Sequence, residues 1–75
     1  MVSSMKVYTL TRRTYDQDYV VGVFSSIKRA QEWIVISGDW KEIEGSWFAY
    51  CKSEGGYDDY EDELVIEEHE LKGET

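Results

Sequence analysis

The chain has 75 residues, with 16 Asp or Glu against 8 Lys or Arg and a net charge of −8. Apolar residues make up 41% and aromatics 15%, which excludes a disordered acidic tail, a composition poor in rings. The length admits one small domain over residues 1–75, near the lower limit at which a chain supports its own core, with 1–4 and 72–75 expected to fray.

Met5–Arg13 is rich in β-branched and aromatic residues and predicts a first strand, with Val7, Thr9 and Thr11 on one face and Tyr8, Leu10 and Arg12 on the other. Tyr15-Asp16-Gln17-Asp18 has hairpin length, and Tyr19–Ser25 predicts a second strand. Neither strand alternates cleanly between apolar and polar. Ser25 or Ser26 is suited to cap a helix that runs to about Ser37, with Gly38 ending it in a left-handed turn. Ile27, Ala30, Trp33, Ile34 and Ser37 fall on one helical face, while Ile36 falls with Lys28, Arg29 and Glu32 on the opposite one, as an apolar residue facing solvent.

Asp39–Ser46 reads as a turn-rich passage anchored by Trp40 and Ile43. Trp47–Lys52 predicts a third strand, with Trp47, Ala49 and Cys51 facing away from Phe48, Tyr50 and Lys52. Ser53–Asp62 reads as a loop opened by Gly55-Gly56, and Glu63–Leu71 as the last strand. Gly-x-Trp occurs at 38–40 and again at 45–47, which is too little to make a repeat. The expected fold is therefore α+β: a small, mostly antiparallel sheet of about four strands with one helix on one face, in the order ββαββ. One helix covers one face, yet the strands carry apolar side chains on both. The second face is expected to be covered by the 39–46 and 53–62 segments, by a second copy in a homodimer, or by a partner.

Charge is uneven along the chain. Residues 1–38 hold five bases against three acids, a balance of +2, and residues 39–75 hold three bases against thirteen acids, a balance of −10. The densest stretch is Tyr57–Glu63, YDDYEDE. Such a field repels nucleic-acid phosphates and attracts basic surfaces, so direct binding to DNA or RNA is not expected.

The chemical motifs are incomplete. A calcium loop opening at Asp59 has Glu61 and Glu63 in alternation but Leu64 where the sharp turn needs glycine. His69 has only Cys51 as a further nitrogen or sulfur ligand, too few for zinc. A Cys51–His69 nucleophilic pair is disfavoured because Cys51 lies mid-strand among aromatics, where cysteine packs as a small apolar residue. Gly55-Gly56 is followed by tyrosine and acids that would repel a phosphate. No catalytic residue, metal or cofactor is expected, and the chain is not expected to be an enzyme. No apolar run approaches the ~20 residues of a membrane helix. Met1–Leu10 lacks the features of a secretory leader, and one cysteine builds no disulfide framework, so the cytoplasm is the expected compartment. Binding remains. Tyr57 and Tyr60 interleave with Asp58, Asp59, Glu61, Asp62 and Glu63, a combination of rigid rings and steering charge, and Trp40, Trp47 and Ile36 complete the candidate partner surface.

Lys6-Val7-Tyr8-Thr9-Leu10, the Val21-Gly22-Val23-Phe24-Ser25-Ser26 strand, the helix with Ala30-Gln31-Glu32-Trp33-Ile34, and the terminal Val65-Ile66-Glu67-Glu68-His69-Glu70-Leu71 cover about half the chain. In these stretches the chain resembles a diffuse group of short uncharacterised proteins abundant in bacteriophage genomes. The resemblance carries over no site residue. It implies a viral origin and a role against host machinery or host defence. The leading expectation is a non-enzymatic cytoplasmic inhibitor that occupies a basic site on a host protein, with nucleic-acid mimicry as a variant. The alternatives are a sponge that sequesters a nucleotide at an oligomer interface, using Arg12, Arg13, Lys28 and Arg29, and a self-associating structural or regulatory protein.

Overall fold

β1 (Ser4–Arg13) and β2 (Asp18–Phe24) form an antiparallel hairpin, followed by helix α1 (Ile27–Trp33) and then β3 (Ser37–Ile43), β4 (Ser46–Lys52) and β5 (Glu61–Lys72). The computed structural model describes residues 4–53 and 61–72. The strands make one antiparallel sheet in the order β2-β1-β5-β4-β3, so the first and last strands meet at its centre. The protein is a small β-rich fold of five strands with, among the described residues, a single seven-residue helix, which corrects the expected α+β class of four strands and a long helix.

Two local causes account for the correction. The helix starts as expected, with Ser26 Oγ accepting from the Arg29 amide at 3.1 Å. It stops at Trp33 because Ile34-Val35-Ile36 is a β-branched run that loses side-chain freedom in a helix, and Ile34 is already extended (φ −128°, ψ 138°). Extended backbone alternates sides: Ile34 and Ile36 pack against the core while Val35 points out. Ile36 is therefore not an apolar residue on a solvent-facing helix surface. The second cause lies in 39–46, which is not a turn passage but most of β3 and its hairpin. Glu44 (φ 51°) and Gly45 (φ 85°) form a two-residue turn closed by the Ile43–Ser46 pair, the left-handed geometry that matches strand twist. Gly38 has the positive φ expected of it (86°), but spends it on an irregularity between Ser37 and Lys41 inside β3. Both Gly-x-Trp segments thus put a left-handed glycine two residues before a tryptophan that packs against the core.

The core lies between α1 and one face of the sheet, where Leu10, Ala30, Cys51, Leu64 and Ile66 are buried and Tyr8, Phe24, Ile34, Trp40 and Trp47 close around them. The imperfect alternation of β2 has a structural origin: Gly22 pairs with Leu10 and Val20 with Thr11, leaving Val21 as the extra residue of a bulge. Ser4–Val7 pair only with His69–Lys72, so the two central strands project past their neighbours as a ribbon.

Candidate functional site

The two faces of the sheet differ in what covers them. On the α1 side a row runs Leu10–Ile66–Trp47 through directly opposed positions, and Leu10 and Ile66 are 0% and 1% exposed. On the other side the corresponding row is Val20–Thr11–Val65–Phe48–Lys41, one residue from each strand. Val65 is buried there only because it sits on the central strand between Thr11 and Phe48. Away from the centre Val20, Val23, Ile43 and Tyr50 are at least half exposed. A depression of about 300 Å³ opens on this face, with Thr11, Phe48 and Val65 lining it and Arg13, Asp18 and Glu67 at its margin.

Arg12 and Arg13 are neighbours whose side chains leave the sheet on opposite faces, and each finds acid. Arg12 Nε donates to Asp62 Oδ2 at 2.8 Å and Nη2 to the Lys52 carbonyl at 2.9 Å, with both Arg12 and Asp62 largely buried. Arg13 Nη1 donates to Glu63 Oε1 at 3.1 Å, and its Nε lies 3.5 Å from Asp18 Oδ2 on the open side. The hydrogen bond to Glu63 and the charge of Asp18 hold the Arg13 guanidinium above the ordinary arginine range. Tyr50 Oη reaches Glu63 Oε2 at 3.5 Å. Neither arginine is a bare cation awaiting a phosphate.

The candidate residues read from sequence separate into three groups. Glu61 is exposed opposite Lys52 at the start of β5, and half-buried Glu63 lies on the open face. Asp62 is buried in its ion pair with Arg12, and Trp40, Trp47 and Ile36 pack against the core. The Trp47 indole N–H is buried with no acceptor among the described residues. Tyr57, Asp58, Asp59 and Tyr60 lie outside the described residues. Sequence reasoning passed over the row at Val20, Thr11, Val65 and Phe48; its signal was the second apolar face of the strands, overshadowed by the density of charge at 57–63.

Cys51 and His69 do not meet. Cys51 is buried on the α1 side opposite Asp62, whereas His69 is exposed on the other face, seven residues further along β5, sharing a 3.0 Å hydrogen bond between its Nε2 and Thr9 Oγ1. Among the described residues no group of three or more His, Cys, Asp or Glu is placed to hold a metal ion. No helix among them is long and apolar enough to cross a membrane.

A further cleft of about 570 Å³ flanks α1, lined by Phe24, Ser26, Lys28, Arg29, Glu32 and Trp33. Trp33 is 64% exposed although its ring is tilted 56° against Phe24, with centroids 5.6 Å apart. No curated protein and no solved structure matches the chain. A family model does match, over residues 5–75, from the second residue of β1 through all five strands: the chain belongs to the family described as a domain of unknown function, DUF7336.

Proposed function

We propose that this chain is a small acidic binding protein that works by occupying a partner's surface rather than by transforming a substrate. The observation that carries the reading is the sheet face that the described residues leave uncovered, where exposed Val20, Val23, Ile43 and Tyr50 share a face with the depression over Val65. The partner is a protein that places an apolar side chain in that depression and basic residues against Glu61, Glu63 and Glu67, drawn in by the −10 balance of residues 39–75. The resemblance to short bacteriophage proteins supports a cytoplasmic antagonist of a host protein or defence system. The test is capture from a bacterial lysate with Ile43→Lys/Tyr50→Lys and Glu61→Lys/Glu67→Lys variants beside the unmodified chain. Loss of one captured protein in both variants, with the melting temperature preserved, is the expected result. Capture that survives both variants refutes this surface.

A second reading rests on the cleft beside α1. The exposed Trp33 ring with Lys28 and Arg29 suits an aromatic anion such as a nucleotide, whereas Arg12 and Arg13 are engaged with acids. A thermal-shift panel of nucleotides checks it: a stabilisation lost in Trp33→Ala supports the sponge reading, and no shift from any nucleotide removes it.

A further inference from the structure

The sheet has two outer edges, and their sequences treat them differently. An outer strand presents unpaired N–H and C=O groups to any passing strand, and proteins blunt such edges with charges, prolines and irregularities. The β3 edge is blunted, with Asp39, Lys41 and Glu42 in seven residues and the irregularity at Gly38. The β2 edge is not. Tyr19–Phe24, YVVGVF, carries no charge, and the bulge at Val21 is the irregularity it has. Exposed Val20 and Val23 on one face and exposed Trp33 beside Phe24 on the other extend the apolar character around this edge.

We infer that the β2 edge is a self-association edge, and that its occupant is β2 of a second copy, paired antiparallel about a two-fold axis near Val21. On either side of the bulge, Asp18–Val20 of one copy then faces Gly22–Phe24 of the other, giving two short reciprocal ladders. Two features of the charge select a second copy over an unrelated strand. First, the ends of the edge complement each other: exposed Asp16 and Asp18 stand before and at the start of β2, and exposed Lys28 and Arg29 follow it at the start of α1. An antiparallel two-fold sets the acidic end of each copy beside the basic end of the other. Second, the described acids of residues 39–75 lie mainly on β5, two strands in from the β2 edge. Pairing through β2 keeps the two β5 strands five strand spacings apart, roughly 24 Å, beyond the ~8 Å over which charge is felt at physiological salt. The resulting ten-stranded sheet leaves the face over Val65 open on both copies, so the inference stands apart from the partner proposed above.

Sedimentation equilibrium of the full chain between about 5 and 500 μM tests it by mass action. The expected result is a mass rising to twice 8.8 kDa, with amide exchange in 18–24 slowing as concentration rises. Val23→Lys puts a charge into the uncharged edge, opposite Tyr19 of the second copy, and should weaken the dimer by about tenfold without altering the circular dichroism spectrum. Lys28→Glu/Arg29→Glu should weaken it by about tenfold, with Asp16→Lys added to that variant restoring it. Ile43→Lys/Tyr50→Lys, at the other end of the open face, should leave the mass unchanged while abolishing partner capture, which separates the two proposals. A monomer at every concentration overturns the inference. So does a dimer that Val23→Lys leaves intact, or slowed exchange in 37–43 in place of 18–24.

Discussion

The two faces of this sheet are built from the same strands, often from adjacent residues, yet one is a core and the other a surface. Leu64 and Ile66 point under α1 and are sealed, while Val65 between them points to the open side and owes its burial to the strands on either hand. Arg12 and Arg13 repeat the contrast with charge: the first is held in a buried pair with Asp62, the second in exposed pairs with Asp18 and Glu63. Apolar character alone therefore does not mark a side chain as core in so small a protein. What decides is whether a second layer exists above it, and among the described residues a seven-residue helix supplies that layer on one side only.

The largest effect that separates the faces should come from Asp62→Ala. Removing the carboxylate strands a nearly buried guanidinium, and urea unfolding should record a loss of about 3–5 kcal/mol, most of the stability of a domain this size. Glu63→Ala, one residue on but facing the open side, should cost less than about 1 kcal/mol in the same measurement. If the two losses are equal, the contrast between the faces fails. Leu64→Ala should cost about 2–5 kcal/mol by the cavity it leaves among Leu10, Ala30 and Ile66.

Smaller effects are expected at the turn that brings β3 onto the sheet. Glu44→Asn places a residue tolerant of left-handed backbone at φ 51° and should stabilise by several tenths of a kcal/mol, about 0.5. Gly45→Ala, at φ 85° with open space for the added carbon, should cost about 1–2 kcal/mol from backbone conformation alone. Thermal denaturation of both variants checks the sign and the order. The smallest effect belongs to the open face: Val20→Thr and Ile43→Thr should shift unfolding by less than about 0.5 kcal/mol each. A larger loss, measured where the protein is monomeric, would mean that this face is covered within the single chain.

Several elements were legible before the structure. The alternation of Tyr8, Leu10 and Arg12 against Thr9 and Thr11, and of Trp47, Ala49 and Cys51 against Phe48 and Tyr50, placed each set on one face, and Ser25-Ser26 marked the helix start, with Ser26 the residue that caps it. β3 was not legible, because Ser37-Gly38-Asp39 and Lys41-Glu42 have the composition of a turn. These residues are extended because Trp40 packs against the core and the Glu44–Gly45 turn returns the chain onto β4. The candidate surface was half legible: the acids at 61–63 were found, but not that Asp62 turns inward to Arg12 while Glu63 faces out.

The amino-acid sequence by itself determined the local geometry: where strands alternate, where a serine starts the helix and a β-branched run stops it, and that charge gathers in the second half. Those are properties of a residue and its near neighbours in the chain. Only the tertiary structure decided that β1 and β5, sixty or more residues apart in five of their pairs, would meet at the centre of the sheet, and so which face was buried and which edge left open. That choice depends on hydrogen-bond ladders and side-chain layers closing at a distance, where a residue's fate is set by what the fold places above it.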